Sequence, residues 1–146
     1  MPGPMNESQL VFVYGTLKEG FPNFHVNNGT RVPGTFMTRE RFPLVLVGER
    51  WTPCLINRVG RGVQVAGQVY RVDQAALARM DEIEQVTQPD GYRRMKIMVR
   101  RPSEHRLFEV EAYLKDEEQL KGTQVQLGPL AEYTLEHAAR YQSRQL

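Results

Sequence analysis

Leu10-Val11-Phe12-Val13-Tyr14 is an unbroken apolar run of β-branched and aromatic residues that stops abruptly at Gly15. A strand with one face in water alternates apolar and polar residues, so a run without a polar position predicts a strand buried on both faces. Further short apolar runs lie at Phe42 to Val47, Cys54 to Asn57 and Val65 to Val72, separated by Gly, Pro and Arg clusters that read as turns. Such spacing favours a closed or strongly curved sheet.

From Arg93 to Arg101, the residues Arg93, Met95, Ile97 and Val99 share one face while Arg94, Lys96, Met98 and Arg100 share the other. Phe108, Val110, Ala112 and Leu114 repeat the pattern against Glu109 and Glu111. These two segments are expected to form a hairpin with basic and acidic residues opposite each other in solvent. Asp73 is a good N-cap for a helix from Gln74 to about Glu84, a stretch without glycine or proline. Pro129 at a first-turn position predicts a C-terminal helix from Leu130 to about Arg144. Residues 1–9 are polar, with two prolines and a glycine, and read as a flexible N-terminal tail to a single domain over 10–146.

The 19 basic and 17 acidic residues leave a formal charge of +2, too little to imply a nucleic-acid partner without a clustered patch. The apolar fraction of 40% is that of an ordinary globular chain rather than a membrane-spanning one. The single cysteine, Cys54, has no disulfide partner within the chain, and no secretory leader is evident, so a cytoplasmic location is expected.

Two segments can carry chemistry. In Tyr14-Gly15-Thr16-Leu17-Lys18-Glu19-Gly20 a buried strand runs into a glycine-containing loop whose N–H groups are no longer used by the sheet and can bind an anion. A phosphate loop is excluded, because Phe21 and Pro22 stand where lysine and a hydroxyl should follow Gly20. The second is Glu84, which a helical wheel places about 20° from Leu77 and about 40° from Met80, on the margin of the apolar stripe. A carboxyl partly withdrawn from water has a raised pKa, which suits a group that accepts and returns a proton near neutrality. Asp81 and Glu82 are its rivals, Asp81 on the more polar side of Leu77 and Glu82 pointing away. A thiol dyad of Cys54 with His25, His105 or His137 lacks a local signature, and the histidines lack zinc-site spacing.

Taken in order, these blocks resemble the γ-glutamylcyclotransferase-like (AIG2-like) family, and within it the γ-glutamylamine cyclotransferase branch. Val11 to Lys18 with Gly20, Pro22 and Asn23 is similar to the opening motif, and Phe42-Pro43-Leu44-Val45, Gly48-Glu49 and Pro53 to Leu55 to the next blocks. Gly67-Gln68-Val69-Tyr70 with Val72-Asp73 resembles the strand before the helix, Met80 to Glu84 the helix end, and Tyr92-Arg93-Arg94 the following strand. Gln85 departs from the pattern, since many members carry glycine there, and beyond Val99 the resemblance fades.

The resemblance implies an α+β, mainly β fold: a small barrel of about six strands with flanking short helices. Its cavity would lie between the Tyr14 to Leu17 loop and the helix ending at Glu84. It implies Glu84 as the catalytic residue, N–H groups of Gly15, Thr16 and Leu17 on the α-carboxylate of a glutamyl group, and no cofactor. Tyr14 and Tyr92 would line the cavity or simply pack beside it. The implied partner is a small-molecule γ-glutamyl substrate, such as γ-glutamyl-lysine, that is cyclised to 5-oxoproline with release of an amine or amino acid. A metabolite-binding module without catalysis, on the same barrel, is the alternative. An adaptor using the arginine-rich strand is a third reading.

Overall fold

A computed structural model describes residues 9–143. Residues 1–8, most of the expected tail, and residues 144–146 lie outside the described residues. The elements run β1 (Gln9–Val13), β2 (Thr30–Thr38), β3 (Leu44–Val47), β4 (Thr52–Leu55), β5 (Ala66–Val72), α1 (Gln74–Ile83), β6 (Arg93–Arg100), β7 (Phe108–Leu114), β8 (Val125–Leu127) and α2 (Leu135–Ala138).

Five strands close a barrel in the order β1-β5-β2-β6-β7, with β7 returning parallel to β1 at Val11 opposite Glu111. The other neighbours are antiparallel, with Val11 opposite Tyr70, Met37 opposite Arg100 and Ile97 opposite Val110. The remaining strands form a second sheet, β4-β3-β8. It is stitched to the barrel where Leu55 O accepts the Lys115 N–H at 2.9 Å and Lys115 O accepts the Asn57 N–H at 2.8 Å.

The apolar run of β1 is buried on both faces. Phe12 points into the barrel interior with Phe36, Val69, Ile97, Val99 and Val110. Val11 and Val13 face outward, where Leu77 and Met80 of α1 cover them. Asp73 caps α1 through its side chain, which accepts the Ala76 N–H at 2.8 Å. The β6–β7 hairpin pairs Lys96 with Glu111 and Met98 with Glu109, and Lys96 and Glu109 meet in solvent at 3.8 Å. Glu111 is buried instead, because the same face carries Tyr113 and is covered near its end by α1.

Two strands escape the periodicity. β2 contains Pro33 and Gly34, which read as a turn, yet its ladder to β5 continues across a register break between Val32 and Phe36. β8 is three residues long and pairs with the β3 edge. The expected C-terminal helix is corrected to four residues. The Leu130 N–H donates to Leu44 O and Ala131 O accepts the Ala66 N–H, both at 2.8 Å. Those peptides serve the sheets, and a helix can start only after Thr134 caps it. No described helix is long and apolar enough to cross a membrane.

Candidate active site

Where β1 ends, the chain turns through Tyr14 to Leu17 with its carbonyls tied inward. Gly15 O accepts the Lys18 N–H at 3.1 Å, Thr16 O the Asn23 N–H at 2.9 Å, and Leu17 O an Asn27 side-chain N–H at 2.9 Å. In a trans peptide the N–H points opposite to the C=O. Holding the Gly15 and Thr16 carbonyls therefore turns the Thr16 and Leu17 N–H groups to the other side of the loop. Among the described residues no backbone bond takes up the N–H groups of Gly15, Thr16 or Leu17. Glycine is required at the first of these, since a Cβ on Gly15 would lie 2.8 Å from Pro53 Cγ.

Lys18 anchors the loop from behind. It is buried, its ammonium donates to Tyr133 O, and it lies 4.3 Å over the Phe21 ring. Burial lowers its pKa, against which Glu132 acts as a raising charge.

Another part of the wall comes from the end of α1. The Gln85 N–H bonds Glu82 O at 3.1 Å and the Val86 N–H bonds Asp81 O at 3.2 Å, which is the Schellman pattern of helix termination. That turn needs a left-handed residue, and Gln85 supplies it with φ +57°. The departure at Gln85 thus leaves the backbone of the helix exit in the glycine-type conformation, and Glu84 stays at the C-cap with its carbonyl accepting the Tyr92 N–H at 2.9 Å.

Tyr14, Gly15, Thr16, Leu17, Glu84 and Tyr92 all line one cavity of about 610 Å³. Of the three acids considered on α1, Glu84 alone lines this cavity. Glu82 is exposed. Asp81 is occupied as a structural anion, accepting from the Tyr113 hydroxyl at 2.7 Å and pairing with Arg94 at 3.1 Å. Burial foremost raises the pKa of Tyr14, Cys54, Tyr92 and Tyr113, and the negative charge of Glu84 adds to the rise in each.

The two tyrosines are both wall and brace. The Tyr14 hydroxyl donates to Tyr113 O at 2.7 Å and accepts the Leu55 N–H at 3.2 Å, joining the barrel to the second sheet. The Tyr92 hydroxyl donates to Pro53 O at 2.9 Å and lies 3.6 Å from Cys54 Sγ. Burial, foremost, pushes both phenols well above their usual range. With both hydroxyls engaged on the backbone, neither is poised to give up a proton.

Sequence reasoning did not single out Tyr113, Lys115 or the turn at Glu49 and Arg50 as cavity lining. Tyr113 left one signal, an aromatic among the acidic residues of the outer face of β7. The others lie on loops with no periodic pattern.

Burial also pushes the Cys54 thiol up from 9.0 to about 11, against a lowering by its bond to Tyr92. A folded pKa above the unfolded one means stability is present below pH 9 and lost as pH rises toward 11, because the unfolded chain releases its proton first. At pH 10.5 this should cost about 2 kcal/mol relative to pH 8.5. The buried tyrosines add to the loss above about pH 10. Urea midpoints at the two pH values measure it, and Cys54→Ala should lose less than the parent over the same interval.

A sequence model of the family described as "Gamma-glutamyl cyclotransferase, AIG2-like" matches residues 11–134. The γ-glutamylaminecyclotransferase of Bos taurus is 44% identical over 94 residues, 61% of this chain and 55% of that protein. That of Homo sapiens is 44% identical over 80 residues, 51% of this chain and 52% of that protein. The chain thus spans about half the length of these curated relatives. The crystal structure of an AIG2-like protein from Mus musculus superposes with a TM-score of 0.78 at 31% identity, over 96% of this chain and 99% of that one. The family model covers most of the chain, including the strand-to-loop segment at Gly15 and the helix end at Glu84, and the chain belongs to the AIG2-like gamma-glutamyl cyclotransferase family.

Proposed function

We propose that this chain is an enzyme that cyclises the γ-glutamyl group of a small molecule to 5-oxoproline and releases the amine. The observation that carries the reading is that Glu84 lines one cavity together with a loop whose Gly15 and Thr16 carbonyls are tied back, so that the Thr16 and Leu17 N–H groups face away from those ties.

A γ-glutamyl compound presents an α-carboxylate, an α-ammonium and a γ-amide. The N–H groups of Gly15, Thr16 and Leu17 receive the carboxylate, and this pins the chain in a folded shape with the α-nitrogen near the γ-carbon. Glu84 takes a proton from the α-ammonium. The freed nitrogen then attacks the γ-carbonyl carbon, and the C–N bond of the five-membered ring forms. The tetrahedral centre collapses as the old amide C–N bond breaks and the leaving nitrogen takes the proton held by Glu84; Glu84 then takes the second proton from the ring nitrogen and passes it to the departing amine, which leaves as an ammonium. Atoms and charge balance without a cofactor. Tyr14 and Tyr92 serve as rigid cavity walls.

For the leaving group, similarity to proteins named γ-glutamylaminecyclotransferase supports a γ-glutamyl-amine such as γ-glutamyl-lysine. The buried free thiol of Cys54 suits a reducing, cytoplasmic setting. The test is a panel of γ-glutamyl-amines and γ-glutamyl-amino acids assayed by mass spectrometry for 5-oxoproline. Release is expected, with γ-glutamyl-lysine the fastest. Silence across the panel, with binding retained, would make the chain a metabolite-binding module.

A further inference from the structure

Residues 139–143 follow α2 without regular structure, yet three contacts hold them to the cavity wall. The Gln142 N–H donates to Arg50 O at 3.0 Å, and the Arg140 guanidinium lies 4.8 Å over the Trp51 ring. The Tyr141 hydroxyl accepts an Asn23 side-chain N–H at 3.1 Å. The other proton of that amide goes to Thr16 Oγ1 at 3.0 Å, while the Asn23 backbone N–H holds Thr16 O at 2.9 Å. Asn23 is buried, and its side-chain oxygen has no partner among the described residues. Thr16 and Tyr141 are therefore the groups that fix its amide. All three residues line the cavity. Tyr141 lies beyond the stretch matched by the family, which ends at residue 134.

We propose that Tyr141 is a positioning residue for the anion-binding loop, acting through Asn23 on Thr16. Asn23 grips Thr16 twice, its backbone N–H on the carbonyl that sets the direction of the Leu17 N–H and its side-chain amide on the hydroxyl, so a fixed Asn23 side chain holds Thr16 against turning about that backbone bond. Tyr141 fixes that side chain from the far end of the chain. A loop already held in its ligand-binding shape gives up less conformational freedom when the ligand arrives. The C-terminal segment is thus a strap that pre-orders the carboxylate site. This rests on the reading of Gly15 to Leu17 as that site.

The test is Tyr141→Phe, which removes one oxygen and keeps the ring. The probes are 5-oxoproline, which carries the carboxylate, and its carboxamide, titrated by calorimetry against the whole chain. Loss of one hydrogen bond should raise the Kd for 5-oxoproline about threefold to tenfold and leave the Kd for the carboxamide unchanged. In turnover, KM should rise with kcat within about twofold, since Tyr141 acts on binding rather than on the reacting atoms. In a Thr16→Val background, Tyr141→Phe should have no further effect. An unchanged Kd for 5-oxoproline overturns the proposal and leaves the carboxylate loop standing. Equal weakening of acid and amide also overturns it, making Tyr141 a simple wall. A parent chain that shows no preference for the acid overturns the loop reading and the proposal together.

Discussion

Glu84→Gln should cut 5-oxoproline release by about 10²- to 10⁴-fold, the usual contribution of a positioned proton-transfer group. The variant keeps the shape of the side chain and the carbonyl that accepts the Tyr92 N–H, so its urea midpoint should stay near that of the parent. On the proposed reading the carboxylate is received by the Gly15 to Leu17 loop and not by Glu84, so binding of 5-oxoproline should be retained. The control is Asp81→Asn. Asp81 anchors the helix end to Tyr113 and Arg94, with its side chain 23% exposed. Neutralising it should lower stability by about 1 kcal/mol and reduce turnover far less than Glu84→Gln does. Undiminished turnover by Glu84→Gln would remove Glu84 from the chemistry. An equal loss in both variants would mean that the helix end, and not one carboxyl, is what catalysis needs.

Gly91→Ala should destabilise the fold by about 2 kcal/mol or more and abolish turnover as well. An added Cβ would lie 1.7 Å from Gln85 O and 2.5 Å from its carbonyl carbon, and these are backbone atoms that no rotamer change can clear. The Gly91 N–H is already bonded to Gln88 O at 3.1 Å, and the next residue donates to Glu84 O at 2.9 Å. Movement at Gly91 therefore pushes on the same left-handed turn that ends α1, and Glu84 moves with it. Denaturant unfolding and steady-state kinetics read the two effects. A parent-like midpoint with normal kcat would show that the turn yields without cost and does not fix Glu84. Loss of kcat in the fraction that remains folded would show that the turn between Glu84 and Tyr92 fixes the cavity wall that carries Glu84.

The strands and the helix were legible where local pattern and burial agree. β1 has no polar position because both of its faces are covered, β6 and β7 alternate because one face of each fills the barrel, and α1 carries its own N-cap. β2 was not legible, since Thr30, Pro33, Gly34 and Thr35 are exposed and their composition is that of a loop. Its place is set by pairing to β5 on one side and β6 on the other, which closes the ring. The C-terminal helix failed for a related reason. Leu130 to Tyr133 have adequate helix propensity, but their backbone and side chains are claimed by β3, β5, Lys18 and the core.

The sequence by itself determined the two chemical ends of the candidate site. A buried strand running into Gly15 leaves N–H groups unused, and the wheel sets Glu84 beside Leu77 and Met80, both from residues within a few positions of each other. Only the tertiary structure decided that these ends share a cavity and what holds them there. Tyr113 reaches Asp81 across 32 positions and Tyr141 reaches Asn23 across 118, contacts that exist because the barrel closes and the last segment folds back over it. Periodicity records which face of an element is covered. It carries no record of which distant residue does the covering, because many side chains satisfy the same burial and only chain closure selects one.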